Sequence, residues 1–244
     1  MCRGATGSRH PRYVTLFHNI VTLGWARQGL HTDPPTIGAD LPRPREYDES
    51  TREALVEAAG RLLVAGGLDA VTTRAVAAEV GATTSAIYAL FGSKTALLAA
   101  VHEEGFRGLD RSLRDVAVTQ RPLADLRELA LAYRRSARAR PHLYQVMFGP
   151  PIAGLQPGEA GEQLAGTTLQ RLVDTVARCQ RAGVLAGDEP WPVTRQLWAL
   201  VHGLASLELR GALGPDEDAQ ATWEQALRTA ARGLAPDPDR PPTV

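Results

Sequence analysis

Between residues 72 and 94 the chain places hydroxyls, a phenol and one ammonium at spacings suited to a polyanion. Thr83, Thr84 and Ser85 come shortly before Tyr88, and Lys94 follows six residues later. On a helix over 84–90, Ile87, Leu90 and Phe91 share one side, while Thr84, Ser85 and Tyr88 share the other. Short hydroxyls on an exposed helix make single hydrogen bonds to base edges, and such a helix fits a major groove about 12 Å wide. A plain capped surface helix would show the same pattern, so the neighbouring residues matter. Lys94 lies in the first turn of the following helix, where the macrodipole disfavours a cation by about 0.3–1 kcal/mol. An external phosphate between Lys94, Tyr88 and the helix amides would account for it.

These groups need short helices to hold them. Ser50-Thr51-Arg52-Glu53 reads as a capping box. Leu55, Ala58, Ala59, Leu62 and Leu63 then follow the spacing of an amphipathic helix. Gly66-Gly67 stops it. Thr72 caps a second helix through Val80, and Gly81 ends that helix. Gly81-Ala82-Thr83 is a three-residue turn of helix-turn-helix type, and Thr83 caps the third helix. After Gly92, Ser93 caps a long fourth helix. The DNA-facing set is Thr72, Thr73, Thr83, Thr84, Ser85, Tyr88 and Lys94.

The remaining periodic segments are all helical: 122–139, 141–148, 162–183, 191–213 and 216–233. Prolines fall in the breaks between them. No segment alternates long enough to be a strand. The expected fold is therefore all-α, with about nine helices. Residues 1–47 are expected to be a disordered or mis-called extension and linker, 48–101 a DNA-binding domain, 102–234 a helical ligand-binding and dimerisation domain, and 235–244 a disordered tail.

Composition narrows the function. The 244 residues are 44% apolar and 22% charged, with 27 basic against 27 acidic residues. A balanced charge excludes a polybasic coat but not a local DNA-reading face. Residues 41–101 hold six Arg or Lys and seven Asp or Glu, so weak nonspecific DNA affinity is expected. Two cysteines, Cys2 and Cys179, make neither a disulfide framework nor a zinc site; Cys179 reads as a small buried hydrophobe. No metal and no cofactor is expected. There is no GxSxG, Walker loop, HExxH or pair of carboxylates at catalytic spacing, and no run of 18 apolar residues for a membrane span. A cytoplasmic protein is expected.

Residues 72–101 resemble the TetR family of bacterial transcriptional repressors. The resemblance is carried by Thr72, Val76, Ala77, Gly81, Tyr88, Phe91, Lys94, Leu97 and Leu98, and with the first helix it covers about 48–101. It implies a homodimer that binds operator DNA and releases it when a small ligand enters the C-terminal domain. At the positions of Ala89 and Leu90 many members carry an aromatic or polar residue and then histidine. Base reading here must therefore fall on Thr83, Thr84 and Ser85.

Residues 141–149 and 198–209 resemble a C-terminal domain of this family named for a Trp-His-Gly signature, here Trp198, His202 and Gly203. A ligand pocket is expected from Tyr144, Met147, Phe148, Leu172, Val176, Trp198 and His202, although ordinary core would use the same residue types. The 191–213 helix carries two apolar stripes. One is Leu197, Leu200, Val201 and Leu204; the other is Trp198, His202, Ala205 and Leu209. Two stripes require cover on two sides: the core, and a second subunit that would bury Leu204, Leu207 and the last helix. The reading is a ligand-responsive DNA-binding regulator, a repressor released by a small apolar or amphipathic effector. A helical enzyme using the C-terminal pocket, or a DNA-binding regulator controlled by a protein partner, is the alternative.

Overall fold

The computed structural model describes residues 48–149, 155 and 158–237. The expected extension at 1–47 and the end of the tail, 238–244, lie outside the described residues. Among the described residues nine helices follow one another: α1 (Glu49–Ala70), α2 (Thr73–Glu79), α3 (Thr84–Phe91), α4 (Lys94–Arg114), α5 (Pro122–Ala139), α6 (Pro141–Phe148), α7 (Glu159–Arg181), α8 (Pro190–Leu209) and α9 (Asp216–Gly233). No strand occurs among the described residues.

Most boundaries sit where local chemistry puts them. Asp48, not Ser50, is the N-cap of α1: its carboxylate accepts the Thr51 amide at 2.9 Å and both the Ser50 and Thr51 hydroxyls. A carboxylate two residues upstream outcompetes the serine because it satisfies the amide with a full charge. Gly66 and Gly67 leave helical geometry within α1, with Gly67 at φ 68. Thr72 caps α2 and Ser93 caps α4 through their hydroxyls.

Three helices end in one device. After α2 the Gly81 amide bonds Ala78 and the Ala82 amide bonds Ala77; the same pair of bonds closes α7 at Gly183 and α8 at Gly211. In each case a glycine at positive φ takes the left-handed position that side chains avoid. This is why α8 stops at Leu209, short of the expected 213, and α7 at Arg181, short of 183.

Two cores result. Leu55, Val56, Val76, Ile87, Leu97 and Val101 fill the first, beneath α1–α3. Phe106, Leu129, Tyr133, Leu169, Val201 and Trp223 belong to the second. The short helix α6 joins them, because its i, i+3 rows face different ways. Leu143 and Val146 enter the first core, and Tyr144 and Met147 the second. Gly105 on α4 lets α6 approach: a Cβ there would lie 2.6 Å from the Met147 sulfur. Leu204, expected at a subunit interface, is 8% exposed and packs inside its own subunit, as does Trp223. Trp223 is drawn in because its indole N–H donates to Glu208 at 2.7 Å.

Candidate nucleic-acid interface and ligand cavity

The helix-turn-helix face follows from burial. Ala86 and Ile87 of α3 are fully buried in the first core, and Val76 and Ala77 of α2 are buried in the same core. The opposite side of α3 is then open: Thr83, Thr84, Ser85 and Ala89 are exposed, and Tyr88 is 54% exposed. Thr72 is exposed and its oxygen accepts the Ala75 amide at 3.0 Å. Thr73 begins α2 half-buried. Thr83 occupies the N-cap of α3 with extended backbone but without a side-chain bond to the helix amides. A salt bridge and a cation–π contact brace the unit from outside: Arg61 pairs with Glu79 at 2.8 Å, and the Arg52 guanidinium lies 5.4 Å over the Phe91 ring.

Lys94 has a partner within the fold. Its Nζ donates to the Leu68 carbonyl at 3.1 Å, tying the start of α4 to the last turn of α1. That carbonyl supplies part of the negative charge the dipole argument requires. An ammonium has three donors, so two remain for a phosphate. Arg74 is the cation the sequence reading passed over. It is exposed in the first turn of α2, beside Thr72 and Thr73, with no side-chain ion pair among the described residues. Its position in the first turn after the cap was the available signal.

The second site is a cavity of about 700 Å³ between α4, α5, α7, α8 and α9. Leu109 and Leu113, Leu126 and Leu129, and Leu169 and Leu172 contribute pairs from α4, α5 and α7. Of the seven expected residues, Phe148, Leu172 and Trp198 line it. Tyr144 and Met147 border a small neighbouring void that also touches Phe148. Val176 is fully buried in a third cluster with Cys179 and Leu185, since the turn of α7 that carries it packs on α8 rather than over the void. Burial pushes the Cys179 thiol up to about 11, so it packs as a neutral hydrophobe.

His202 stands behind the wall. Its Nδ1 lies 3.1 Å from the Tyr133 hydroxyl and 3.0 Å from that of Tyr144. Tyr144 also reaches Ser206 at 3.2 Å. Burial lowers the His202 pKa and raises those of both tyrosines, so neutral groups meet there. Tyr133, which the sequence reading missed, is the member of this network on the cavity wall. It shares the Leu126–Leu129–Ala130 face of α5, a spacing that was visible in sequence.

One further pair closes the domain. Arg134 on α5 and Glu208 on α8 meet at 2.7 Å with side chains only 7% and 8% exposed. The Arg134 guanidinium also lies 5.6 Å from the Trp223 ring.

Comparison with known proteins covers both regions. Residues 55–101 match the family model for bacterial regulatory proteins, tetR family. Residues 126–230 match the model for a Tetracyclin repressor-like, C-terminal domain; this match does not support the narrower Trp-His-Gly type. An HTH-type transcriptional regulator of Mycobacterium tuberculosis is 27% identical over 206 residues, covering 70% of this chain and 86% of its own. A solved structure of a protein of unknown function from Rhodococcus sp. RHA1 is 27% identical, with a TM-score of 0.64 over 80% of this chain and 100% of that one. A TetR family transcriptional regulator from Thermus thermophilus is 21% identical, with a TM-score of 0.60 over 71% and 97%; at that identity it bears on the fold alone.

Proposed function

The chain belongs to the tetR family of bacterial regulatory proteins, and from that premise we propose that it represses transcription until a small apolar or amphipathic ligand enters the 700 Å³ cavity. It is a DNA-binding transcriptional regulator rather than an enzyme. It acts in the cytoplasm, where the DNA is, as a homodimer on a two-fold operator. Thr84 and Ser85 read base edges, while Tyr88, Lys94, Thr72 and Thr73 hold phosphates, with Thr83 at the start of the reading helix. Two outward residues of α8, Ala199 and Leu207, and the half-buried Gly203 between them recur every four residues. Leu207 is 45% exposed. This stripe, rather than Leu204, is the surface for the second subunit.

The observation that carries the ligand response is the two-ended helix α6. At its C-terminal end Phe148 lines the cavity. At its N-terminal end His142 Nε2 lies 2.6 Å from a Glu57 carboxylate oxygen on α1. Arg140, directly before α6, donates to Glu57 at 2.9 Å and to Glu104 of α4 at 3.1 Å. A ligand that displaces Phe148 therefore pushes on the helix that anchors the DNA-binding unit. Coupling arises only if ligand affinity differs between the two α6 positions. A cavity of this size beside His202 favours a ligand over control by a protein partner.

The test has two stages: selection of bound fragments from genomic DNA, then release by candidate compounds. In the Glu57→Gln variant the coupling, about 1–3 kcal/mol in such systems, should shrink while ligand still binds. Release as complete as in the wild type would place the coupling elsewhere.

A further inference from the structure

Every charged side chain on the cavity wall is cationic: Arg121 at the start of α5, Arg127 on α5 and Arg228 on α9. No aspartate or glutamate lines it. In a chain with equal numbers of acidic and basic residues, this is a local segregation of sign. The three are not equally committed. Arg127 pairs with Glu128 at 2.9 Å, both half-exposed, and Arg228 lies 3.6 Å from Glu224. The Glu224 carboxyl is held below its ordinary range by a bond from Gln220 and by the charges of Arg228 and Arg127. Arg121 has no ion pair among the described residues.

The rest of the wall is Leu, Val, Ala, Trp and Phe with few polar groups. A neutral apolar occupant would fill that space but leave the exposed guanidiniums at its edge without a counter-charge. A cationic occupant would be repelled. An occupant with an apolar body and an anionic head satisfies both parts of the wall, because guanidinium binds carboxylate or phosphate through paired, charge-assisted hydrogen bonds.

We infer that the effector of this regulator is an apolar anion, its body between α4, α5, α7 and α8 and its head against Arg121, Arg127 and Arg228. The inference rests on the reading of the chain as a ligand-responsive regulator and narrows the chemistry of the ligand.

The experiment is direct titration of the full chain, without DNA, with decanoate, decyl phosphate, decanol and decylammonium. Trp198 on the cavity wall supplies a fluorescence signal. Decanoate or decyl phosphate should bind at least about tenfold more tightly than decanol, with decylammonium weakest, and the stronger anion identifies the head group. Each methylene removed from the anion should weaken binding roughly fourfold. In Arg121→Gln the ratio of anion to alcohol affinity should fall towards one. The inference is overturned if decanol or decylammonium binds as well as the anions, if none of the four binds, or if the ratio survives in the triple variant Arg121→Gln, Arg127→Gln, Arg228→Gln. Fragment selection keeps the two readings apart. A chain that selects an operator but does not prefer anions loses only this inference. One that prefers anions but selects no sequence loses the regulator reading.

Discussion

The DNA-binding unit and the cavity domain bury opposite kinds of residue. Beneath α1–α3 the core is small and apolar, with Leu55, Val56, Val76 and Ile87 at no exposure, and the polar chemistry lies outside on α3. Around the cavity, polar groups go inside: Arg134 with Glu208, Tyr133 and Tyr144 with His202, and Asp125 with Thr119 and Arg178. A reading head needs one rigid shape, which close packing of small apolar residues supplies. A ligand domain must keep α5, α8 and α9 apart around a void, and apolar collapse alone would close it. Fully partnered polar links at defined distances resist that collapse, since a half-satisfied network is costly.

The largest test removes one such link. Glu208→Ala leaves Arg134 buried and unpaired and strips the Trp223 indole of its acceptor, so it should cost about 3–5 kcal/mol in urea unfolding. The surface pair of the DNA-binding unit is its control: Glu79→Ala, which frees the exposed Arg61, should cost no more than about 1 kcal/mol. Equal losses would erase the contrast. A double change of Arg134 to Met and Glu208 to Leu should recover most of the loss, because a packed apolar pair removes the stranded charge.

Acid should find the cavity side next. His102 of α4 is buried against Phe106, its Nδ1 has no partner among the described residues, and burial lowers its pKa to about 4. The unfolded chain binds its proton near pH 6.5, so the unfolded state holds more protons between pH 6.5 and 4. Stability is therefore fully present above 6.5 and declines as pH falls towards 4, by roughly 3 kcal/mol from His102. His202, also lowered by burial, adds in the same direction. Denaturation of His102→Leu across this range should show a shallower slope; an unchanged slope would assign the effect to other groups.

The smallest effects belong to the DNA face. Lys94→Ala should lose about 1.5–3 kcal/mol of stability, because a charged donor leaves the Leu68 carbonyl. It should also lower the salt slope of DNA binding by about one. Loss of stability with an unchanged slope would make Lys94 a brace alone. Thr84→Ala should leave folding intact and cost about 1 kcal/mol at one base position in each half-site. Titration of both variants against operator and scrambled DNA at several salt concentrations separates the roles.

The sequence by itself determined what depends on a few neighbouring residues. α5, α6 and α9 run over the expected spans because prolines open two of them and amphipathic periodicity carries all three. The reading helix was legible because Gly81, Thr83, Gly92 and Ser93 are a turn glycine, a cap, a left-handed glycine and a second cap within thirteen residues. Gly211 carried the same stop signal as Gly81 but was obscured by apolar periodicity running on to Leu213. Tertiary structure alone decided which apolar stripe faces which neighbour. It turned Leu204 inward and left Leu207 outside, put Val176 in solid core and Leu172 on the void, and gave Lys94 the Leu68 carbonyl. It also brought Arg134 to Glu208 across 74 residues of chain. Caps and turns are contacts of a residue with its own backbone, so their energies are present in the local sequence. Cavities, ion pairs and subunit faces are contacts between elements, and their partners are chosen only when the helices pack.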